Sequence, residues 1–234
     1  MTGAILVLAA TLAFVLSPAL SSGFGGFAEG AFPVPQDDPP AQPAGWAFSI
    51  WGVIYLWLLI SAGAGVVLRA RDTAWEAARL PLILSLAPGA VWIAVALTSP
   101  EVATALLIWM LAAALWAHWR TPAQDRWWLA APVALYAGWL TAAAWVSLAI
   151  VLAGHGVIGG AASAILALVG ALGTGLAVLA RRAVAEYALA LAWAFAGLAA
   201  GNLAGAPLLA LAAALAAAGM LWQGVRAMRM GAGA

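Results

Sequence analysis

Cysteine and lysine are both absent from this 234-residue chain, and charged side chains of any kind make up only 7% of it. Without cysteine there is no disulfide, no thiolate nucleophile and no iron–sulfur ligation. Two histidines, His118 and His155, are too few for a His-rich metal site. A soluble domain carries about 25% charged residues, so the shortfall excludes an ordinary water-facing surface. The arginines are spread over four gaps rather than gathered in a patch, which removes nucleic acid as a partner. A Gly-rich phosphate loop after a strand, a P-loop and a nucleophile elbow are all missing. Ion-coupled carriers and intramembrane hydrolases bury ionisable groups at mid-membrane, and no apolar run here has one at its centre. The composition thus favours a binding protein over an enzyme without settling the point.

Apolar residues are what remain, at 67% of the chain. A helix needs about 20 mostly apolar residues to cross the roughly 30 Å hydrocarbon layer. Eight segments qualify: about 2–20, 46–68, 82–99, 102–119, 128–153, 157–180, 184–203 and 207–225. The expected fold is an all-α integral membrane protein of about eight transmembrane helices. Pro88 and Pro132 fall inside two of these runs, where they are expected to kink or loosen the backbone. The first run has no basic n-region and is longer than a signal-peptide core, so it is expected to stay as a helix.

All nine basic residues fall in alternate gaps: Arg69, Arg71 and Arg79; Arg120 and Arg126; Arg181 and Arg182; Arg226 and Arg229. Short loops rich in Arg stay cytoplasmic. The expected topology therefore places both termini in the cytoplasm of a bacterial inner membrane, and the lipid bilayer is the first partner. The longest connection, residues 21–45, then lies outside. It carries Ser, Gly and five prolines from Pro33 to Pro43, and reads equally as a solvated linker or as a lid.

Twelve of the fourteen tryptophans precede residue 154, and the rest of the chain is rich in Ala, Gly and Leu. That shift divides the chain into a bundle over 1–153, containing the outer loop 21–45, and an Ala/Gly-rich three-helix extension over 154–234. Gly197, Gly201 and Gly205 recur every four residues, a stripe that lets another backbone approach closely. Packing within the bundle is the expected use, and a homodimer contact is the alternative.

The chemistry left to such a chain is aromatic. Trp51 and Tyr55 are four apart and share a helix face. Tyr136, Trp139, Ala143 and Ser147 form a second stripe, two rings followed by small residues. Flat rings beside small residues make a slot for a flat apolar ligand, although tryptophans also gather in interfacial belts.

These residues resemble the signature of the tryptophan-rich sensory protein, or translocator protein (TspO/MBR), family. The likeness covers about residues 2–153. Pro39-Pro40, Trp46, Phe48, Trp51 and Tyr55 follow the family's order of two prolines, Trp-x-Phe, a second Trp and a Tyr four residues later. The prolines lie further upstream than usual, and the two tryptophans are one residue closer. Trp92 matches a family Trp, but Gly89 replaces the Asn three residues before it. Tyr136 and Trp139 match Tyr-x-x-Trp, and Ser147 stands where an Asn is usual. Ala47-Phe48-Ser49-Ile50-Trp51-Gly52 and Leu135-Tyr136-Ala137-Gly138-Trp139 look like a longer, eight-helix subgroup. The resemblance implies a membrane receptor or sensor for a hydrophobic, planar compound such as a porphyrin, another tetrapyrrole or a sterol. It implies a ligand site of Trp46, Phe48, Trp51, Tyr55, Trp92, Tyr136, Trp139 and Ser147. No cofactor is required by it, and porphyrin or haem is the candidate bound group. A permease for a small uncharged or weakly polar solute is the alternative.

Overall fold

The structure, a computed structural model, describes residues 1–21 and 24–232. Ser22 and Gly23 of the outer loop and the last two residues of the extension lie outside the described residues. Eight helices account for most of the rest: α1 Thr2–Leu16, α2 Ile50–Val67, α3 Thr73–Ala96, α4 Pro100–Arg120, α5 Ala131–Gly154, α6 Gly160–Arg181, α7 Ala185–Gly201 and α8 Pro207–Ala232. Seven of the helical segments are long and apolar enough to cross a membrane. The chain is a multi-pass membrane protein. The exception, α7, has 17 residues, about 26 Å at 1.5 Å per residue.

α5 sits at the centre, packed on α2, α4, α6 and α7. It is apolar all round, and every residue from Leu129 to Ala142 is buried, as a helix without a polar face must be. One hydrophobic core takes residues from every helix, from Val7 on α1 to Met220 on α8.

Of the helix boundaries that differ from the sequence expectation, those at the starts of α3 and α5 have a clear cause. α3 begins at Thr73 rather than near 82, because Asp72 caps it by accepting from the Ala74 amide at 2.9 Å. Arg79, expected in the gap, is therefore helical and almost fully buried. Its guanidinium is satisfied by Glu76 and by the carbonyls of Arg69 and Ala70. Pro132 does not interrupt a helix: it stands in the first turn of α5, after a widened turn over Arg126–Ala130. That turn shifts the bonding pattern just where proline has no N–H to give.

The arginines gather at one end of the bundle, and side chains there tie its connections together. Asp125, between α4 and α5, accepts from Arg69 Nε at 2.8 Å, Arg69 Nη2 at 3.0 Å and Trp75 Nε1 at 2.8 Å. The Arg69 hydrogen bond first, and the Trp75 bond next, hold the Asp125 carboxyl below the usual carboxylate range. Arg126 bonds Glu186 at 2.7 Å, joining the start of α5 to that of α7. Arg182 donates to the carbonyls of His118 and Thr121.

At the opposite end the first loop folds over the bundle. Phe32 and Ala41 are buried against Ala149, Ile150, Ala164 and Ala167. The Val34 amide donates to Gly154 O at 2.8 Å and the Ala44 amide to Gly197 O at 3.0 Å. Asn202 Nδ2 reaches Pro40 O at 2.9 Å. The loop is a packed cap, tied to α5, to α7 and to the turn after α7.

The glycine stripe explains how the cap lies so close. A Cβ at Gly197 would come 2.6 Å from Ala47 Cβ, and one at Gly201 would sit 3.3 Å from Ala44 N. Both glycines face the cap and the entry to α2, whereas a side chain at Gly205 would meet open space.

Candidate functional site

A cavity lies beneath the cap. Its walls come from the cap (Phe24, Phe27, Gln42), the entry and first turn of α2 (Phe48, Trp51), α3 (Trp92), α5 (Trp139, Ala143, Ser147) and the alanine faces of α6 and α7. None of the described lining residues is ionisable. The space is about 80 Å³, well short of the roughly 300–1,000 Å³ that enclose drug-sized ligands.

The rings meet at fixed angles. Trp51 stands edge-on to Trp139 with centroids 6.1 Å apart, and Phe48 stands edge-on to Trp139 at the same distance. Trp51 also stacks on Tyr55 at 5.2 Å and 20°, the one-turn pairing that the spacing of α2 dictates. Phe24 of the cap lies edge-on to Trp92 at 4.8 Å.

The polar groups are few and mostly committed. Trp92 Nε1 donates to Ala103 O at 2.8 Å. Thr104 Oγ1 donates to Pro100 O at 2.8 Å, so the proton in its 2.6 Å contact with Ser147 comes from the Ser147 hydroxyl. Ser147 keeps only acceptor capacity towards the cavity. Trp139 Nε1 is buried and has no acceptor among the described residues.

Of the eight residues read from the sequence, Phe48, Trp51, Trp92, Trp139 and Ser147 line the cavity. Three lie off it. Trp46 is 47% exposed and stands edge-on to Trp193 at 4.9 Å, on the outside of the bundle. Tyr55 is one turn below Trp51. Tyr136 is fully buried, and its hydroxyl bonds Ser85 at 2.9 Å.

Phe14 of α1 packs against both tyrosines and Trp51. Its ring stands edge-on to Trp51 at 5.7 Å, Tyr55 at 5.1 Å and Tyr136 at 5.8 Å. Gly89 gives it room, since a Cβ there would lie 2.6 Å from the Phe14 ring. The position where the sequence departs from Asn to Gly is thus filled by an aromatic plug from another helix.

Several wall residues carry no signal in the reading of the first five helices. Ala167 and Ala171, four apart on α6, and Ala194, Phe195 and Leu198 on α7 complete the far side. Their i, i+4 spacing marks one face of each helix, but nothing local says that this face meets a cavity. Among the described residues no group of three or more His, Cys, Asp or Glu is placed to hold a metal ion.

The family model described as TSPO-like protein matches residues 4–225, which reaches through the last three helices. No curated protein and no solved structure matches the chain.

Proposed function

The chain belongs to the TSPO-like protein family, and on that premise we propose that it is a membrane receptor for a hydrophobic, planar ligand held in the cavity beneath the first loop. The observation that carries this reading is the crossed pair Trp51 and Trp139, set in one cavity with Ala142, Ala143, Ala167 and Ala171. A flat ring stacked on one indole meets the edge of the other, an arrangement aromatic quadrupoles favour. The alanines leave the space that a plate requires.

Tetrapyrroles and sterols are the compounds the family resemblance brings forward. Either exceeds the space of about 80 Å³, so binding requires the walls to open further. The cap belongs to no long helix and is held by hydrogen bonds to α5, α7 and Asn202 and by the burial of Phe32 and Ala41, so it is the wall that would move. The arginine-rich end faces the cytoplasm of a bacterial inner membrane in this reading, and the cavity opens on the outer side.

Titration of intrinsic tryptophan emission in lipid nanodiscs, with protoporphyrin, haem and cholesterol in turn, tests the proposal. A saturable change at one ligand per chain is expected. A linear change with every compound, the mark of partition into lipid, would overturn it.

A further inference from the structure

α8 packs chiefly on α7, and α6 chiefly on α5, so α6 and α8 meet only loosely. Towards the arginine end they stand apart and leave a groove of about 510 Å³, within the roughly 300–1,000 Å³ typical of ligand sites. α6 supplies Leu176, Leu179 and Ala180 to its walls, and α8 supplies Gln223, Arg226 and Met230. The groove shares no residue with the cavity beneath the cap.

Helix length sets its depth. α8 has 26 residues, about 39 Å against roughly 30 Å of hydrocarbon. With Pro207 at the far edge, the hydrocarbon ends about 20 residues later, at the level of Arg226. Leu176, Leu179 and Gln223 then lie below that level, among the upper acyl carbons and the glycerol esters. Leu176 and Ala180 are exposed, so the groove opens sideways to the bilayer rather than into the bundle.

Charge sets what fits there. Among the described residues the ion pairs join Arg69, Arg79, Arg126 and His155 to carboxylates, and none involves Arg226. Glu186 is the only acidic residue after Asp125, and Arg126 holds it at 2.7 Å. A zwitterionic headgroup would bring its ammonium to a place with no free carboxylate. A headgroup with net negative charge meets no such mismatch, and guanidinium recognises phosphate with two parallel hydrogen bonds.

We propose that this groove is a binding site for an anionic glycerophospholipid. Arg226 takes the phosphate, the Gln223 amide lies one turn deeper on the side of the glycerol esters, and an acyl chain runs over Leu176 and Leu179. Basic pockets between spanning helices suit anionic headgroups for the same reason.

Native mass spectrometry of the full chain, titrated in detergent with dioleoyl phosphatidylglycerol or dioleoyl phosphatidylcholine, gives the dissociation constant of the first bound lipid. The wild type should prefer the glycerol headgroup by roughly fivefold, the weight of one arginine near the headgroups, and Arg226→Gln should lose that preference. Arg229→Gln removes the same charge three residues on, outside the groove lining, and should keep it. Ala180→Phe fills the groove and should weaken both lipids. Arg226 and Ala180 are exposed, so unchanged melting temperatures are expected and are measured alongside. Equal losses from Arg226→Gln and Arg229→Gln would mean a diffuse surface charge and overturn the site. Full displacement of the lipid by soluble glycerol 3-phosphate, or tight binding that survives Ala180→Phe, would also overturn it. So would a dimer in lipid-free spectra that Ala180→Phe dissolves, since a second copy would then fill the groove.

Discussion

The ring of Phe14 occupies the space that any side chain at position 89 would need: a Cβ on Gly89 would lie 2.6 Å from Phe14 Cδ2 and 2.7 Å from Cε2. This contact packs α1 against α3 beside Trp51, Tyr55 and Tyr136, whose rings all stand edge-on to Phe14. An amide at position 89 and a phenyl ring at position 14 are mutually exclusive in this packing.

Gly89→Asn should therefore destabilise the protein by overpacking, at about 1–3 kcal/mol. Phe14→Ala combined with Gly89→Asn should cost less than the sum of the single changes, because each makes room for the other. Thermal unfolding of the two single variants and the double variant in detergent measures the coupling. Additive losses would show that the two side chains do not compete.

Asp125 supplies a pH test at the other end. Its pKa is depressed in the folded state, chiefly by the Arg69 hydrogen bond and then by Trp75. A depressed carboxyl contributes stability that is complete above its unfolded pKa, about 3.9, and is lost as pH falls through the lower folded value. The melting temperature of the wild type should fall below about pH 4 more steeply than that of Asp125→Asn. The variant should be less stable at pH 7 and converge on the wild type in acid. Parallel curves would remove Asp125 from the account.

Gly197 and Gly205 belong to one stripe but face different surroundings. A side chain at 197 would collide with Ala47 and Pro43, while one at 205 would find open space. Gly197→Leu should loosen the cap and speed proteolysis within residues 24–45, and Gly205→Leu should leave both cap and melting temperature unchanged. Equal effects would mean that the cap is not held by the close approach at Gly197.

Topology has its own check. The gathering of the arginines at one end predicts a cytoplasmic position for reporters fused after residues 76, 124, 182 and 234. Reporters at 36 and 101 should read the opposite side. A C-terminus on the outer side would contradict an even number of crossings.

The helices were legible because long apolar runs have few alternatives, and five of the eight candidate residues line one cavity. What stayed hidden is long-range. Phe14 lies in an apolar helix where nothing local distinguishes it from Leu12 or Leu16, and its meaning comes from Gly89, 75 residues away. Arg79 misled in the other direction. A charge reads as a helix boundary, yet here two backbone carbonyls and Glu76 satisfy it inside α3. Trp46 fits the motif by order, but the short spacing to Trp51 turns it outward onto Trp193.

Ligand titration of Trp51→Ala beside Trp127→Ala tests the central claim most directly. Trp127 lies at the arginine end, 60% exposed and stacked on Trp57 at 6.1 Å, so its loss removes an indole without touching the cavity. Stacking on an aromatic is worth on the order of 0.5–1.5 kcal/mol beyond area burial, so Trp51→Ala should weaken protoporphyrin or haem binding by up to about tenfold. Trp127→Ala should bind as the wild type does. Equal weakening by both substitutions, or by neither, would contradict a ligand site built on Trp51 and Trp139.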